Sequence, residues 1–91
     1  RTRTYSKSMA SARWSTNALG NLEKLDPIIR ERILTKVSWL EENLADIVPE
    51  PLHRELKGSY KLRMGDYRVV YSVHQELITI EAVGHRRDVY K

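Results

Sequence analysis

The sequence lacks several residues and patterns on which common functional sites depend. It contains no cysteine, which excludes disulfide bonds and thiolate metal sites and fits a reducing cytoplasm. Its four glycines are widely spaced, so the chain has no glycine-rich loop that could surround a phosphate. No apolar run approaches the roughly 20 residues of a membrane span. A signal peptide requires an apolar segment after its basic start, and no such segment follows the basic residues 1–7. We therefore expect a cytoplasmic protein.

The sequence also lacks the spacing patterns of familiar catalytic centres. No histidine–carboxylate spacing matches a common metal site, and neither a nucleophile elbow nor a pair of catalytic carboxylates is recognisable. We therefore expect neither a metal nor a cofactor. If the protein is an enzyme, cationic side chains together with a tyrosine or a histidine must carry out its chemistry.

The net charge of +4 is unevenly distributed along the 91 residues, a length that fits one domain. Residues 1–8 contain three cations and no acid, residues 9–51 five cations and seven acids, and residues 52–91 eight cations and five acids. We predict that residues 1–9, which are small, polar and basic, form a disordered tail. Residues 10–91 are predicted to form a single domain whose basic C-terminal part contacts an anionic partner.

The first half of the domain carries signals for a short strand and a helix. Residues 10–15 are predicted to form a strand anchored by Trp14. Three residue types that favour the helix N-cap follow, and apolar residues then recur at helical spacing, at Ala18, Leu22 and Leu25.

A second helix is predicted to begin at Asp26-Pro27, an N-cap residue followed by a proline that suits the first helical position. An apolar stripe predicts an amphipathic helix that ends near residues 43–44; its members are Ile29, Ile33, Val37, Leu40 and Leu44. Trp39 lies beside this stripe and is expected to seal its edge. The two helices form a helical hairpin, and residues 47–51, punctuated by prolines, are predicted to be a linker.

The second half carries strand signals. Three strands, separated by turns, are predicted over residues 59–64, 67–73 and 77–83. Gly84 is predicted to end the third strand, on which one face holds Ile78, Ile80 and Ala82. Helices followed by a meander of strands predict an α+β fold, with the helical hairpin packed on a small, mainly antiparallel sheet. We expect the helix stripe to oppose Val69, Tyr71, Ile78 and Ile80.

Basic side chains gather on one face of the predicted strand hairpin. Because alternate residues of a strand point to opposite faces, Lys61 and Arg63 share one face while Tyr60 and Leu62 share the other. Arg68 begins the partner strand, within roughly 5–8 Å at the Cβ atoms. Cations placed so closely form a site for a phosphate backbone. The same residues would also serve as ordinary strand cations that prevent edge pairing of an exposed sheet.

A second basic cluster follows the third strand. Arg86 and Arg87 have the planar fork that suits phosphate, and Tyr90 could stack on a base or act as an apolar plug. Histidine is the side-chain type best suited to proton transfer near neutral pH, so His85 would serve either in catalysis or only in packing. We assign Lys57 and Arg87 to RNA contacts.

In combination, four motifs resemble the RelE branch of the RelE/ParE toxin superfamily: Leu-Lys-Gly, Tyr-Lys-Leu-Arg, Gly-Asp-Tyr-Arg-Val-Val-Tyr and Val-Gly-His-Arg-Arg-Asp-Val-Tyr. The helical hairpin is similar too, so that the resemblance covers roughly residues 10–91. It implies a microbial RNase-like fold and a metal-independent endoribonuclease that cleaves mRNA in the ribosomal A site and inhibits translation. It also implies a small, acidic cognate antitoxin that wraps around the toxin and neutralises it.

The resemblance also implies roles for individual residues in an attack of the mRNA 2′-OH on the adjacent phosphate. Lys61 and Arg63 match the family's basic strand residues, and either Lys61 or Arg63 would act on the nucleophile side. Crowding by arginines disfavours the charged form of a lysine and so suits it to act as a base. Three further residues match family positions: Arg68, which would hold the scissile phosphate, Arg86, which would stabilise the transition state, and Tyr90.

Two features depart from the family pattern. The hairpin is shorter than in some members, so matching Arg63 to a family lysine requires a gap in the sequence alignment. His85 stands where other members can have a lysine, and either His85 or Tyr90 would serve the leaving group or stack on a base.

Two other functions fit the same residues. The ParE branch of the superfamily inhibits DNA gyrase and has no nuclease activity, but those proteins generally lack the full basic set and the final arginine and tyrosine. A non-catalytic RNA-binding module would use the same cations. The nuclease is the function that the sequence favours.

Overall fold

The computed structural model describes residues 10–47, 49–51 and 58–89. Its elements are β1 (Ser11–Trp14), α1 (Thr16–Glu23), α2 (Pro27–Asn43), a 3₁₀ turn (Leu44–Asp46), β2 (Glu50–Pro51), β3 (Ser59–Met64), β4 (Tyr67–His74) and β5 (Leu77–His85). The predicted tail over residues 1–9, Lys57 and Tyr90 lie outside the described residues, so the domain boundary stays a prediction. In the part of the chain that the structure describes, no helix is both long and apolar enough to cross a membrane.

Both helices begin at capping residues that the sequence indicates. The Ser15 hydroxyl oxygen accepts a hydrogen bond from the backbone N–H of Ala18 at 3.0 Å. Asp26 Oδ1 accepts one from the N–H of Ile28, also at 3.0 Å. Pro27 occupies the first turn of α2, where its missing N–H leaves no hydrogen bond unmade. Each cap satisfies one of the backbone donors that a helix start leaves exposed.

The strands form one five-stranded sheet in the order β1-β5-β4-β3-β2. β1 runs parallel to β5, and the other neighbouring pairs are antiparallel. The predicted α+β fold is thus confirmed, with the strands of the meander in their predicted places. The linker predicted over residues 47–51 is wrong at its end, because the two residues Glu50–Pro51 form β2 and pair with β3.

The helices and the sheet share one core, as predicted. α2 contributes Ile33, Val37 and Leu40, all buried, whereas Ile29 is partly buried at the edge of the cluster. The sheet contributes buried side chains from β4 and β5: Val69, Tyr71, Ile78, Ile80 and Val83.

A β-bulge changes which residues of β5 face this core. Val70 pairs with Ala82, but Tyr71 pairs with Ile80, so one extra residue of β5 lies between these two pairs. The prediction that Ala82 shares the face of Ile78 and Ile80 is therefore wrong, and Val83, only 3% exposed, enters the core instead. Gly84 does not end the strand, which continues to residue 85.

Side chains at the start of α1 bind the bulge. The extra residue is Glu81, and its carbonyl oxygen accepts hydrogen bonds from Ser15 Oγ at 3.2 Å and from Asn17 Nδ2 at 3.0 Å. The backbone N–H of Val83 donates to Asn21 Oδ1 at 3.2 Å. α1 therefore fixes the register of the last third of β5, and with it the position of the residues that follow the strand.

Candidate functional site

The register of β3 and β4 places the predicted cations on one side of the sheet. Arg63 lies directly opposite Arg68, and Lys61 lies opposite Val70. The alternate residues of β3 pack against the core from the other side: Tyr60, Leu62 and Met64. The predicted alternation of β3 is therefore confirmed. We call the surface formed by Lys61, Arg63 and Arg68 the cation face.

The three side chains of the cation face differ in how they are held. The Arg68 guanidinium folds back onto the β3–β4 turn, where its Nη1 donates to the carbonyl oxygens of Gly65 at 2.8 Å and Tyr67 at 2.9 Å. The Lys61 side chain is 22% exposed and that of Arg63 is 60% exposed. Arg63 is therefore the most accessible of the three to a ligand that approaches from solvent.

A carboxylate that the sequence interpretation missed joins this face. Glu50 on β2 pairs in register with Lys61. Its Oε2 accepts a hydrogen bond from Arg63 Nη2 at 2.9 Å and lies 3.3 Å from Lys61 Nζ. The local signal was present, because a residue before a proline, here Pro51, favours the extended backbone that a strand requires.

The two cations stabilise the ionised form of this acid. The hydrogen bond from Arg63 is the main cause that holds the pKa of Glu50 below its ordinary value of 4.5, and the contacts with Lys61 act in the same direction. Desolvation opposes them. Glu50 thus supplies a negative charge between Lys61 and Arg63. The expected crowding of Lys61 by like charges, which favoured a base role, is partly offset by this acid.

Arg86 joins the same end of the sheet through the β3–β4 turn. Its backbone N–H donates to the carbonyl oxygen of Asp66 at 2.8 Å, and its Nε lies 3.8 Å from Asp66 Oδ1. Because Gly84 pairs with Arg68, the residues just after β5 lie at the hairpin end. The structure therefore brings Arg86 to the end of the sheet where Arg63 and Arg68 lie.

His85 is placed differently from the other predicted residues. It pairs with Tyr67, and the two rings meet edge to face with centroids 5.5 Å apart. Since Tyr67 alternates with Arg68 along β4, strand geometry puts this ring pair on the side opposite the cation face. His85 Nδ1 also accepts a hydrogen bond from the backbone N–H of Arg87 at 3.1 Å. The structure does not bring the His85 ring into the cation face.

The remaining predicted site residues are peripheral or lie outside the description. Arg87 is exposed in the turn that follows β5. Lys57 and Tyr90 lie outside the described ranges, so their predicted roles stay predictions. Among residues 10–47, 49–51 and 58–89, no group of three histidine or acidic side chains is arranged to hold a metal ion.

A second surface feature lies on the outer side of α2. An open groove of about 660 Å³ runs along the helix to the end of β3, lined by Ile28, Glu31, Arg32, Thr35, Lys36, Trp39 and Met64. Ile28 is 66% exposed and Trp39 38% exposed, so Trp39 does not seal the helix edge as expected. Lys36 Nζ lies 4.2 Å from the centroid of the Trp39 ring. We call this feature the α2 groove.

Similarity to known proteins covers almost the whole chain. The model of the family described as the ParE toxin of the type II toxin–antitoxin system parDE matches residues 12–90. The chain belongs to the RelE/ParE superfamily of type II toxin–antitoxin toxins. Toxin RelG of Mycobacterium tuberculosis is 36% identical over 89 residues, a match that covers 89% of this chain and 95% of RelG.

Solved structures agree with this membership of the RelE/ParE superfamily. The M. tuberculosis RelBE2 toxin–antitoxin complex contains a chain 31% identical to this one with a TM-score of 0.75, covering 85% of this chain and 98% of that one. The isolated Escherichia coli RelE toxin, 24% identical with a TM-score of 0.67, shares the fold over 81% of each chain. The predicted resemblance to the superfamily is confirmed.

Proposed function

We propose that this protein is a ribosome-dependent mRNA endonuclease that cuts through attack of a 2′-OH on the adjacent phosphate. The single observation that supports this proposal most is the gathering of cations at one end of the sheet: Lys61, Arg63, Arg68 and Arg86. Phosphodiester cleavage of this kind develops negative charge on the phosphate, and preorganised cations stabilise that charge in the transition state.

We assign each arginine a distinct part in the proposed reaction, according to how its side chain is held. Arg68, fixed by two carbonyl oxygens of the turn, would hold the scissile phosphate at a fixed position. Arg63, which is more exposed, would engage the backbone together with Lys61 on the side of the attacking 2′-OH. Arg86, about half exposed at the turn, would stabilise the negative charge that develops on the phosphate in the transition state.

Proton transfer to the leaving 5′-oxygen is assigned to His85 or Tyr90. Because His85 Nδ1 accepts the N–H of Arg87, a proton that His85 donates would come from its Nε2. The His85 ring would have to act at the edge of the sheet, since it lies on the side opposite Lys61. Tyr90 follows the same turn in the sequence and is the alternative donor.

We also propose that a small, acidic cognate antitoxin binds this protein. RelBE2 was solved as a toxin–antitoxin complex, which supports the same pairing here. Acidic side chains of the antitoxin would pair with the cation face, and apolar anchors would occupy the α2 groove, where Ile28 and Trp39 are exposed. Titration with antitoxin should then abolish RNA cleavage stoichiometrically, and full activity in a saturated complex would contradict an inhibitory role.

A second candidate function is inhibition of DNA gyrase. The matching family model is that of the ParE toxin, and this observation favours the gyrase alternative. The full set of four basic residues at the sheet end favours the nuclease, because cations gathered in one place stabilise the negative charge that develops on a phosphate during cleavage.

One experiment separates these functions. Purified protein is added to a translating extract, and the 5′ ends of a defined mRNA are mapped; the same preparation is tested for inhibition of gyrase supercoiling. Cuts within codons, in frame with translation, support the nuclease. Inhibition of supercoiling with intact mRNA would support the gyrase alternative, and retention of uncut RNA would leave a binding module.

A further inference from the structure

The Glu50 carboxylate is bound in the way that a phosphate oxygen would be bound. Its Oε2 contacts both Arg63 Nη2, at 2.9 Å, and Lys61 Nζ, at 3.3 Å. We infer that in the free protein Glu50 occupies a phosphate position of the cation face, and that an RNA backbone must displace it in order to bind. This inference rests on the proposed binding of RNA at the cation face, and it assigns Glu50 as the residue that limits affinity there.

Glu50 can leave these cations without unfolding the site. Its backbone is held by pairing with Lys61 on β3, while its side chain is 42% exposed, so rotation about side-chain bonds alone carries the carboxylate into solvent. Arg63 is 60% exposed, so a ligand from solvent can reach its guanidinium. The planar guanidinium can then present parallel N–H donors to a phosphate.

The contacts also predict which anions displace Glu50. The carboxylate is tethered, so its effective concentration at the two cations is high. A single free phosphate gains only Arg63 and Lys61 and competes poorly. A polynucleotide also reaches Arg68 and Arg86 and gains from each further phosphate contact. Glu50 therefore lowers the affinity for both classes of anion, and only a polyanion makes enough further contacts to bind well despite this cost. Removal of Glu50 should strengthen binding of either class.

The test uses an uncleavable probe, so that binding is separated from catalysis. A short, fluorescein-labelled single-stranded DNA lacks the 2′-OH, and its affinity for the full chain is measured by anisotropy at about 0.1 M salt, where the Debye length is about 10 Å. Glu50→Gln removes the charge and keeps the shape of the side chain. We expect binding to become roughly 3- to 10-fold tighter, the range for loss of two exposed ion-pair contacts. Inorganic phosphate should also compete better with the probe in this variant.

Glu76→Gln is the matched control. Glu76 is exposed in the β4–β5 turn, roughly 20 Å along β4 from Arg68, and its substitution changes the net charge by the same amount. Salt screens charges at that distance, so the control should bind the probe as the wild type does. An equal gain in both variants would overturn the inference, because it would then reflect net charge alone.

A second substitution tests the pairing itself. In an Arg63→Ala background, Glu50→Gln should gain clearly less affinity than in the wild type, because half of the contact has already been removed. Unchanged or weaker probe binding by Glu50→Gln, in a variant that still melts in one cooperative transition, would overturn the inference even if the protein cleaves mRNA. Tighter binding by a protein that never cleaves mRNA would uphold it and remove the nuclease proposal instead.

Discussion

The cation face and the α2 groove are surfaces of opposite chemistry on one small domain. Charged side chains on the cation face are held by strand register, by turn carbonyls and by Glu50, whose carboxylate lies 2.9 Å from Arg63. The α2 groove instead exposes Ile28 and Trp39. On the cation face, Glu50 is a counter-ion that an incoming anion would replace. In the α2 groove, apolar side chains are exposed to water. The difference fits the two proposed ligands: an anionic backbone for the sheet and an apolar segment of an antitoxin for the helix.

The largest effect on stability is expected from a substitution in the core that supports both surfaces. Ile33 is fully buried between α2 and the sheet, so Ile33→Ala should lower the free energy of unfolding by about 2–5 kcal/mol. Ile28→Ala on the exposed side of the same helix should change it by less than about 0.5 kcal/mol. Denaturant unfolding measures both. Equal stabilities of the two variants would contradict the assigned orientation of α2.

A change in the α2 groove should separate the two proposed ligands. If an antitoxin anchors there, Trp39→Ala should weaken the complex by about 2 kcal/mol, roughly 30-fold in Kd, and leave mRNA cleavage by the free toxin unchanged. Calorimetric titration and a cleavage assay report these two quantities. A loss of cleavage without a loss of antitoxin affinity would reverse the assignment of the two surfaces.

A smaller effect is expected at alkaline pH from Tyr71, a buried tyrosine of β4. Burial, with a further contribution from nearby Tyr60, raises the pKa of Tyr71 to about 12 from its ordinary value of 10.0. The neutral phenol of the folded state therefore contributes stability below pH 10, and this contribution is lost as the pH rises toward 12. Tyr71→Phe should lose less stability than the wild type between about pH 9 and about pH 11. Parallel losses would argue against the burial of this hydroxyl.

The smallest effect is expected at acidic pH from the counter-ion of the cation face. Arg63 lowers the pKa of Glu50, so the ion pair contributes stability above the ordinary pKa of 4.5. That contribution disappears as the pH falls through the lower, folded-state value. The melting temperature of Glu50→Gln should lie slightly below that of the wild type near pH 7, and this difference should disappear at an acidic pH below the folded-state pKa of Glu50. A difference that persists at the acidic pH would have a cause other than charge.

Local signals in the sequence were sufficient for much of this fold. The Ser15 and Asp26 caps each act within a few residues of a helix start, and alternation along β3 placed Lys61 and Arg63 together because it depends only on strand geometry. These features are encoded by short segments, so a single sequence is enough to find them.

The missed features depend on contacts between distant segments. Glu50 became part of the cation face through pairing of a two-residue strand, and such a short strand carries no periodicity. The bulge at Glu81 depends on hydrogen bonds from Ser15 and Asn17, more than sixty residues earlier in the chain. That bulge in turn put His85 on the side opposite Lys61, where no local pattern could place it.

Catalysis by the cations at the sheet end is the central claim, and Arg86→Ala tests it most directly. Single-turnover cleavage is measured on saturating ribosomes programmed with a defined mRNA, alongside the affinity of the same variant for those ribosomes. Arg32→Ala, an exposed arginine of the α2 groove, serves as the control for loss of one positive charge.

If Arg86 stabilises negative charge that develops only in the transition state, Arg86→Ala should lower the single-turnover cleavage rate on the order of 100- to 1000-fold. Its affinity for the ribosomes should fall much less. The control should cleave at the wild-type rate. Wild-type cleavage by saturated Arg86→Ala and Lys61→Ala would contradict the account, because the cation face would then be a binding platform without a catalytic role.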